Sequence, residues 1–292
     1  MATETIAHPR LGARMRRRRS PTRSRYAWLA GVLAWSIALL FFVPILWMVL
    51  TSLHSEANAA TNPPSVGAPL TLSGYREFFN SNPWPYLINS LIAAAFSTLI
   101  VLALSFPAAY ALAIKPVRKW RDSMFFFLST KFLPPVAAVL PVFLIAKNLG
   151  LLDNIVVLVI VYAAMNLPVA VWMMRSFLAE IPRDIVEAAE VDGARLHTLM
   201  LRILLPLTLP GIAAVSLICF IFSWNELLFA RVITATIAET APVFLTGFIT
   251  SEGLFLSKLA AASMVISFPV LVAGFAAQDK LVQGLSFGAV KG

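Results

Sequence analysis

At 292 residues the chain is 59% apolar and only 13% charged, where a soluble domain carries about 25% charged residues, so it reads as an all-α integral membrane protein. Its formal net charge of +9 is distributed as membrane topology distributes it, which argues against a nucleic-acid partner. One cysteine, Cys219, inside an apolar run excludes an intrachain disulfide and a thiolate cluster, and His8, His54 and His197 are too scattered for a metal site.

Residues 1–25 carry eight arginines against one acid, Glu4. A basic tail ahead of a span holds the N-terminus in the cytoplasm and has affinity for anionic membrane lipid. Residues 26–53 contain no charge and are long enough to cross a bilayer. Ala57-Asn58-Ala59 resembles a signal-peptidase site, but the apolar run exceeds the 7–15 residues usual for a signal core, so it is read as a span. Residues 54–85 form a polar loop marked by Pro63-Pro64 and Gly67, with Tyr75, Phe78 and Phe79 suggesting a short surface helix. The second span covers residues 86–114, and Lys115, Arg118, Lys119 and Arg121 return the chain to the cytoplasm. A third span over 123–146 is broken by Pro134, Pro135 and Pro141, tolerable where neighbours or a cavity satisfy the freed carbonyls. After a turn at 150–154 the fourth span covers 155–177, with Asn166-Leu167-Pro168 inside it. The fifth runs over 207–230, an outer loop carries Glu239 and Glu252, and the sixth covers 259–277.

This predicts a basic extension at 1–25, a six-helix domain at 26–277 and a cytoplasmic tail at 278–292, with both termini inside. Counting Arg175 with the cytoplasmic side, 18 of the 23 Lys and Arg fall on cytoplasmic segments, the asymmetry that orientation by positive charge requires.

Between the fourth and fifth spans lies a polar island, residues 181–206. Pro182 suits the first turn of a helix and Asp184 complements its dipole. Ile185, Ala188, Ala189 and Asp192 recur at helical spacing and are predicted to share one face. Gly193 can take the left-handed conformation that ends the helix. Leu196, Leu199, Met200, Ile203 and Leu204 make a second apolar stripe, which Pro206 ends.

No phosphate loop of the form G-x-x-x-x-G-K-[ST], no H-E-x-x-H and no G-x-S-x-G occurs, so the chain is read as a non-enzyme that binds no cofactor itself. Two ionisable residues lie in or near spans. Glu226, in Trp224-Asn225-Glu226, and Lys131 would each cost about 2.5–3.5 kcal/mol at mid-bilayer. Each reads either as a structural ion-pair partner or, with Trp224, Asn225 and Asn166, as part of a substrate path. Proton-coupled carriage through Glu226 is the alternative reading of the same residue.

Glu187-Ala188-Ala189, Gly193, and Ile203-Leu204-Leu205-Pro206 at their spacing resemble the EAA loop of ABC importer permeases. Ala108-Ala109-Tyr110-Ala111-Leu112, Trp224-Asn225-Glu226 and the tail through Gly288-Ala289-Val290-Lys291-Gly292 are similar to carbohydrate importer permeases of the maltose-transporter G type. The run of residues is most like sorbitol/mannitol permeases, while a non-sugar solute is the alternative within the ABC class. The resemblance implies a bacterial inner-membrane, binding-protein-dependent permease of the type I importer fold. It assigns Glu187, Ala188, Ala189, Asp192, Gly193, Ile203 and Pro206 to coupling with an ATPase, and Gln283, Gly284 and Lys291 to a tail contact. It further implies a second homologous permease, two ATPase subunits that bind ATP and Mg, and an extracytoplasmic solute-binding protein.

Overall fold

Charge-free runs with few helix breakers become long helices, because hydrocarbon leaves backbone groups no partner but each other. The computed structural model describes residues 27–61, 65–115, 117–250 and 253–289. The arginine-rich extension and Lys291 lie outside that set. By its contacts the chain divides into two compact units, Met1–Trp47 and Met48–Gly292. Helix α1 (Ala27–Ser52) begins in the first unit, where its side chains are exposed throughout.

The second unit contains α2 (Glu56–Ala59), α3 (Ser73–Asn80), α4 (Trp84–Ala113), α5 (Trp120–Ser129) and α6 (Pro135–Asn148). Helices α7 (Ile155–Ala179), α8 (Arg183–Val191), α9 (Leu196–Thr198), α10 (Leu205–Leu207) and α11 (Leu209–Trp224) follow. The unit ends with α12 (Leu228–Ile233), α13 (Ala241–Thr246) and α14 (Leu256–Ala289). An antiparallel pairing of Ile249–Thr250 with Gly253–Leu254 is the one strand pair among the described residues, and the fold is otherwise all-α. Four helices (α1, α4, α7 and α14) are long and apolar enough to cross a membrane, and two bent pairs bring the number to six.

Those bends revise several sequence-based boundaries. The third span starts at Trp120 and breaks once, by 88°, between Phe132 and Pro135. Leu133 takes the extended conformation that a following proline demands. Pro135 starts α6 where no N–H is needed, and α6 continues straight through Pro141. The second stripe of the polar island runs through α9, a π-helical turn (Leu199–Leu204) and α10, so it ends at Leu207 and not at Pro206. The wide turn lies just ahead of Pro206, which has no N–H to give. An 80° bend at Thr208 then leads into α11. The fifth span closes at Trp224, short of the expected 230, because the Glu226 carboxylate accepts from the N–H groups of Phe229 (3.0 Å) and Ala230 (3.1 Å) and so starts α12. With no proline after Pro269, α14 carries the expected tail on as helix to Ala289. The predicted surface helix is α3, but Phe78 is fully buried, with edge contacts to Phe244 and Phe248.

Small residues let α4 and α7 approach closely. Ala93, Val101 and Ala109 are buried on α4 in clusters shared with Tyr162, Ala163, Ala170 and Met174 on α7. Polar side chains fasten α11 to the pair. Ser97 Oγ and Ser223 Oγ are 3.0 Å apart, and Asn166 Nδ2 donates both to Ser223 Oγ (2.9 Å) and to the Tyr162 carbonyl (3.0 Å). Lower on α11, Gly211 lies flat against the Phe177 ring, where a β-carbon would collide with three ring atoms. Gly211→Leu therefore costs about 1–3 kcal/mol from overpacking, and adding Phe177→Ala recovers part of it. Thermal unfolding of the detergent-purified single and double variants measures the coupling, and additive effects would show that the ring contact is not responsible.

Candidate functional site

Helix α8 ends as its sequence requires. Gly193 sits at φ +76°, with its N–H donating to the Glu190 carbonyl (3.0 Å) and that of Ala194 to Ala189 (2.9 Å). Val186 and Ala189 face inward and join a buried cluster with Phe106, Ala109 and Tyr110 of α4, Met174 and Leu178 of α7, and Leu199 and Leu204. This corrects the predicted shared face, since Ala189 points into the bundle while Ile185, Ala188 and Asp192 point out. Packing against the C-terminal end of α4 selects the narrower inward stripe. Outside stands an apolar surface, with Val191 87% exposed and Leu196 58% exposed, flanked by exposed Glu187 and Asp192. Ile203 is partly buried against the cluster, and Pro206 is exposed.

Lys115, just past α4, donates to Glu190 at 2.7 Å. Hydrogen bonding and charge attraction from Glu190 raise the Lys115 pKa. Both side chains are well exposed, so the pair orients more than it stabilises. Arg175 of α7 adds a second tie, with Nε 3.3 Å from the Leu112 carbonyl and its guanidinium 3.9 Å over the Trp120 ring. Pro116, four residues on from Leu112, has no N–H to offer that carbonyl.

The residues considered for a substrate path divide between two cavities. Trp224 is buried, stacks on Phe220 and donates its indole N–H to the Ile266 carbonyl of α14 (3.1 Å), so its polar atom is already engaged. With Asn225, Thr246, Ser263 and Ser267 it lines a cavity of about 500 Å³ between α11, α13 and α14. Glu226, Asn166, Lys131 and again Asn225 line another, of about 410 Å³, between α11, α7 and the bend after α5. Lys131 and Glu226 thus share a cavity without forming an ion pair. Tyr162, which the sequence reading did not single out, also lines it. Its fully apolar flanks in the sequence hide the polar role of the hydroxyl.

At the far end of α4, a 30-residue helix of about 45 Å, a second missed residue organises the rim. Asp153 takes a left-handed conformation (φ 57°) in the short turn before α7. Its carboxylate accepts from the N–H groups of Ala235, Thr236, Ile237 and Ala238 and from the Thr236 hydroxyl, all at 2.9–3.1 Å. Partial desolvation works to raise its pKa. The bonds from Ala238, Ala235, Ile237 and Thr236 outweigh this and hold it well below the usual carboxylate range. Asn89 of α4 donates to the carbonyls of Ile237 (2.8 Å) and Glu239 (2.9 Å) on the same loop. Glu56 accepts from the Ser257 N–H (3.0 Å), tying α2 to the start of α14.

A long-helix bundle with a protruding amphipathic helix and internal polar cavities is the architecture of a membrane permease. The sequence pattern of the family described as "binding-protein-dependent transport system inner membrane component" matches residues 105–286, well over half of the chain. The chain belongs to that family. It is 36% identical over 265 residues to a probable ABC transporter permease protein of Sinorhizobium fredii, covering 90% of this chain and 95% of that one. It is 33% identical over 255 residues to a trehalose transport system permease protein of Mycobacterium tuberculosis, covering 86% and 92%. A crystal structure of a bacterial ABC transporter that imports the acidic polysaccharide alginate shares the fold, with a TM-score of 0.73, 24% identity and coverage of 90% and 100%. The permease is therefore a non-enzymatic inner-membrane subunit that works with a separate ATPase and a solute-binding protein, and the secondary-carrier reading of Glu226 falls away.

Asp153→Asn is expected to lower stability by about 1–2 kcal/mol at pH 7. A depressed folded-state pKa means this stabilisation is complete above about pH 4, the unfolded value, and fades as pH falls toward the lower folded value. The gap in melting temperature between wild type and Asp153→Asn in detergent should narrow below pH 4. A gap that stays constant down to pH 2.5 would refute the charge-based account.

Proposed function

We propose that the permease carries a sugar, polyol or modified monosaccharide into the cytoplasm by alternating access, driven by ATP hydrolysis on its partner subunits. The observation that carries the coupling part of this reading is the two-sided α8. One face is locked into the α4–α7 core through Val186 and Ala189, and the other presents Val191, Ile185 and Ala188 outward. A helix so mounted transmits a push or pull on its outer face to the ends of two spans. The carbohydrate part is supported by a relative named as a trehalose transport system permease protein.

The working assembly is this permease with a second homologous permease, two ATPase subunits holding ATP and Mg, and an extracytoplasmic solute-binding protein. Positive charge puts α8, the 115–121 loop and both termini on the cytoplasmic side. Glu187, Asp192 and Gly193 shape the docking helix, and Ile203 and Pro206 brace the chain behind it. Residues 283 and 284 lie on the helical extension of α14, and with Lys291 they supply a tail contact to the ATPases. Closure of the ATPases on ATP moves α8. Its packing on Tyr110 and Leu178 moves the inner ends of α4 and α7, and the cavities between spans open to the outside.

Val191→Glu and Glu187→Lys are expected to leave the complex assembled but to cut ATP-driven uptake at least tenfold. Reconstituted vesicles loaded with ATP provide the readout, alongside mass spectrometry of the co-purified ATPase. Wild-type substrate-stimulated hydrolysis in both variants would remove α8 from the coupling path.

A further inference from the structure

We infer that this subunit itself holds the transported molecule, in the 410 Å³ cavity between α7, α11 and the bend after α5, and that the molecule is neutral and rich in hydroxyls. The inference rests on the carbohydrate reading and narrows it to a place and a charge.

The polar groups around that cavity are only partly used by the protein. Tyr162 is 1% exposed, and its buried hydroxyl, beside the Glu226 and Thr240 side chains, completes no hydrogen bond of full geometry in the protein. A buried hydroxyl is costly to leave unpaired. Lys131 offers an ammonium that forms no ion pair among the described residues, which inside a span calls for a polar occupant. Asn166 and Asn225 spend Nδ2 donors on protein acceptors, and no hydrogen bond to their side-chain oxygens occurs among the described residues. Each Glu226 oxygen receives one backbone N–H and can accept again.

Free donors and free acceptors are therefore mixed around one space. A hydroxyl is both donor and acceptor, so adjacent hydroxyls on a ring or chain can satisfy Lys131 and Tyr162 with one group and Asn225 and Glu226 with the next. A carboxylate or sulfonate only accepts, and it would meet the Glu226 charge with repulsion. The charges of Lys131 and Glu226 also cancel, which selects against a net charge on the occupant. The volume lies at the small end of the range for small-molecule sites, which suits one or two sugar rings. Trp224, whose indole is committed to Ile266, is outside this site.

The test is uptake of radiolabelled trehalose, sorbitol and glucuronate by the complete importer in vesicles, with hydrolysis of ATP followed in parallel. Wild type should accumulate trehalose or sorbitol and exclude glucuronate. Tyr162→Phe and Lys131→Met should lower uptake at least tenfold while hydrolysis stimulated by the loaded binding protein falls less than twofold. The number of molecules moved per ATP then drops, which a purely structural defect would not produce. Asn225→Ala, at an exposed position, should show the same split if either of the other variants does not assemble. Unchanged uptake in the variants, or uptake and hydrolysis falling in step, would overturn the site, and glucuronate uptake equal to that of trehalose would overturn its neutral character. A wild-type importer that hydrolyses ATP but moves none of the three would overturn the carbohydrate reading together with this inference.

Discussion

A helix that bends by 80° or 88° inside hydrocarbon leaves carbonyls without their usual partners four residues on, and no bulk water is present to take them. At the breaks among the described residues, short polar side chains add a donor to the carbonyls of the last turn, and Phe126, Leu204 and Ile221 also keep their backbone N–H partners. At the first bend, Ser129 and Thr130 donate their hydroxyls to the carbonyls of Phe126 (2.8 Å) and Phe127 (2.7 Å). At the second, Thr208 donates to Leu204 (2.8 Å) and Leu205 (3.2 Å). Where α11 stops, Asn225 donates to Ile221 (2.8 Å), and Glu226 receives the first N–H groups of α12. These side chains reinforce the last turn ahead of each break, and the cavity lined by Lys131 and Glu226 lies beside the breaks.

The straight helices supply the complementary rigidity. The α4–α7 contact is built from alanine, serine and valine, so the two backbones run close and move as one. The Ser97–Ser223–Asn166 bonds add α11 at mid-height, while Gly211 and Phe177 fit it lower down. At one end this block grips α8, and at the other Asn89 and Asp153 grip the 234–240 loop. The frame is thus continuous from α8 to the 234–240 loop, and the two bends are where the spans depart from straight helix. Lys131 sits in one bend and Glu226 just beyond the end of α11, so the cavity they share lies beside breaks in the spans.

Much of this was legible in one dimension. The apolar runs, the basic loops, the Pro182–Gly193 helix with its left-handed stop, and the absence of a phosphate loop all state local chemistry. Local chemistry is what a sequence records directly. Hidden were features that depend on partners distant in the chain. Asp153 looks like an ordinary turn acid until the backbone of residues 235–238 arrives around it. Tyr162 looks like one more large core residue until it is found beside Glu226 at the edge of a cavity. Ala189 shares helical spacing with Ala188, and only the position of α4 decides which of the two turns inward.

The sequence by itself determined the class of protein, the order of its spans and the short helix ending at Gly193, because bilayer thickness, proline geometry and charge asymmetry act on each segment separately. Tertiary structure alone decided where the spans bend and end, and that Trp224 and Glu226 face different cavities. It also decided that the polar groups at the membrane interior are shared between holding helices together and lining a space. Those outcomes follow from which carbonyls and charges neighbouring helices leave unsatisfied, and that is settled only when the helices meet.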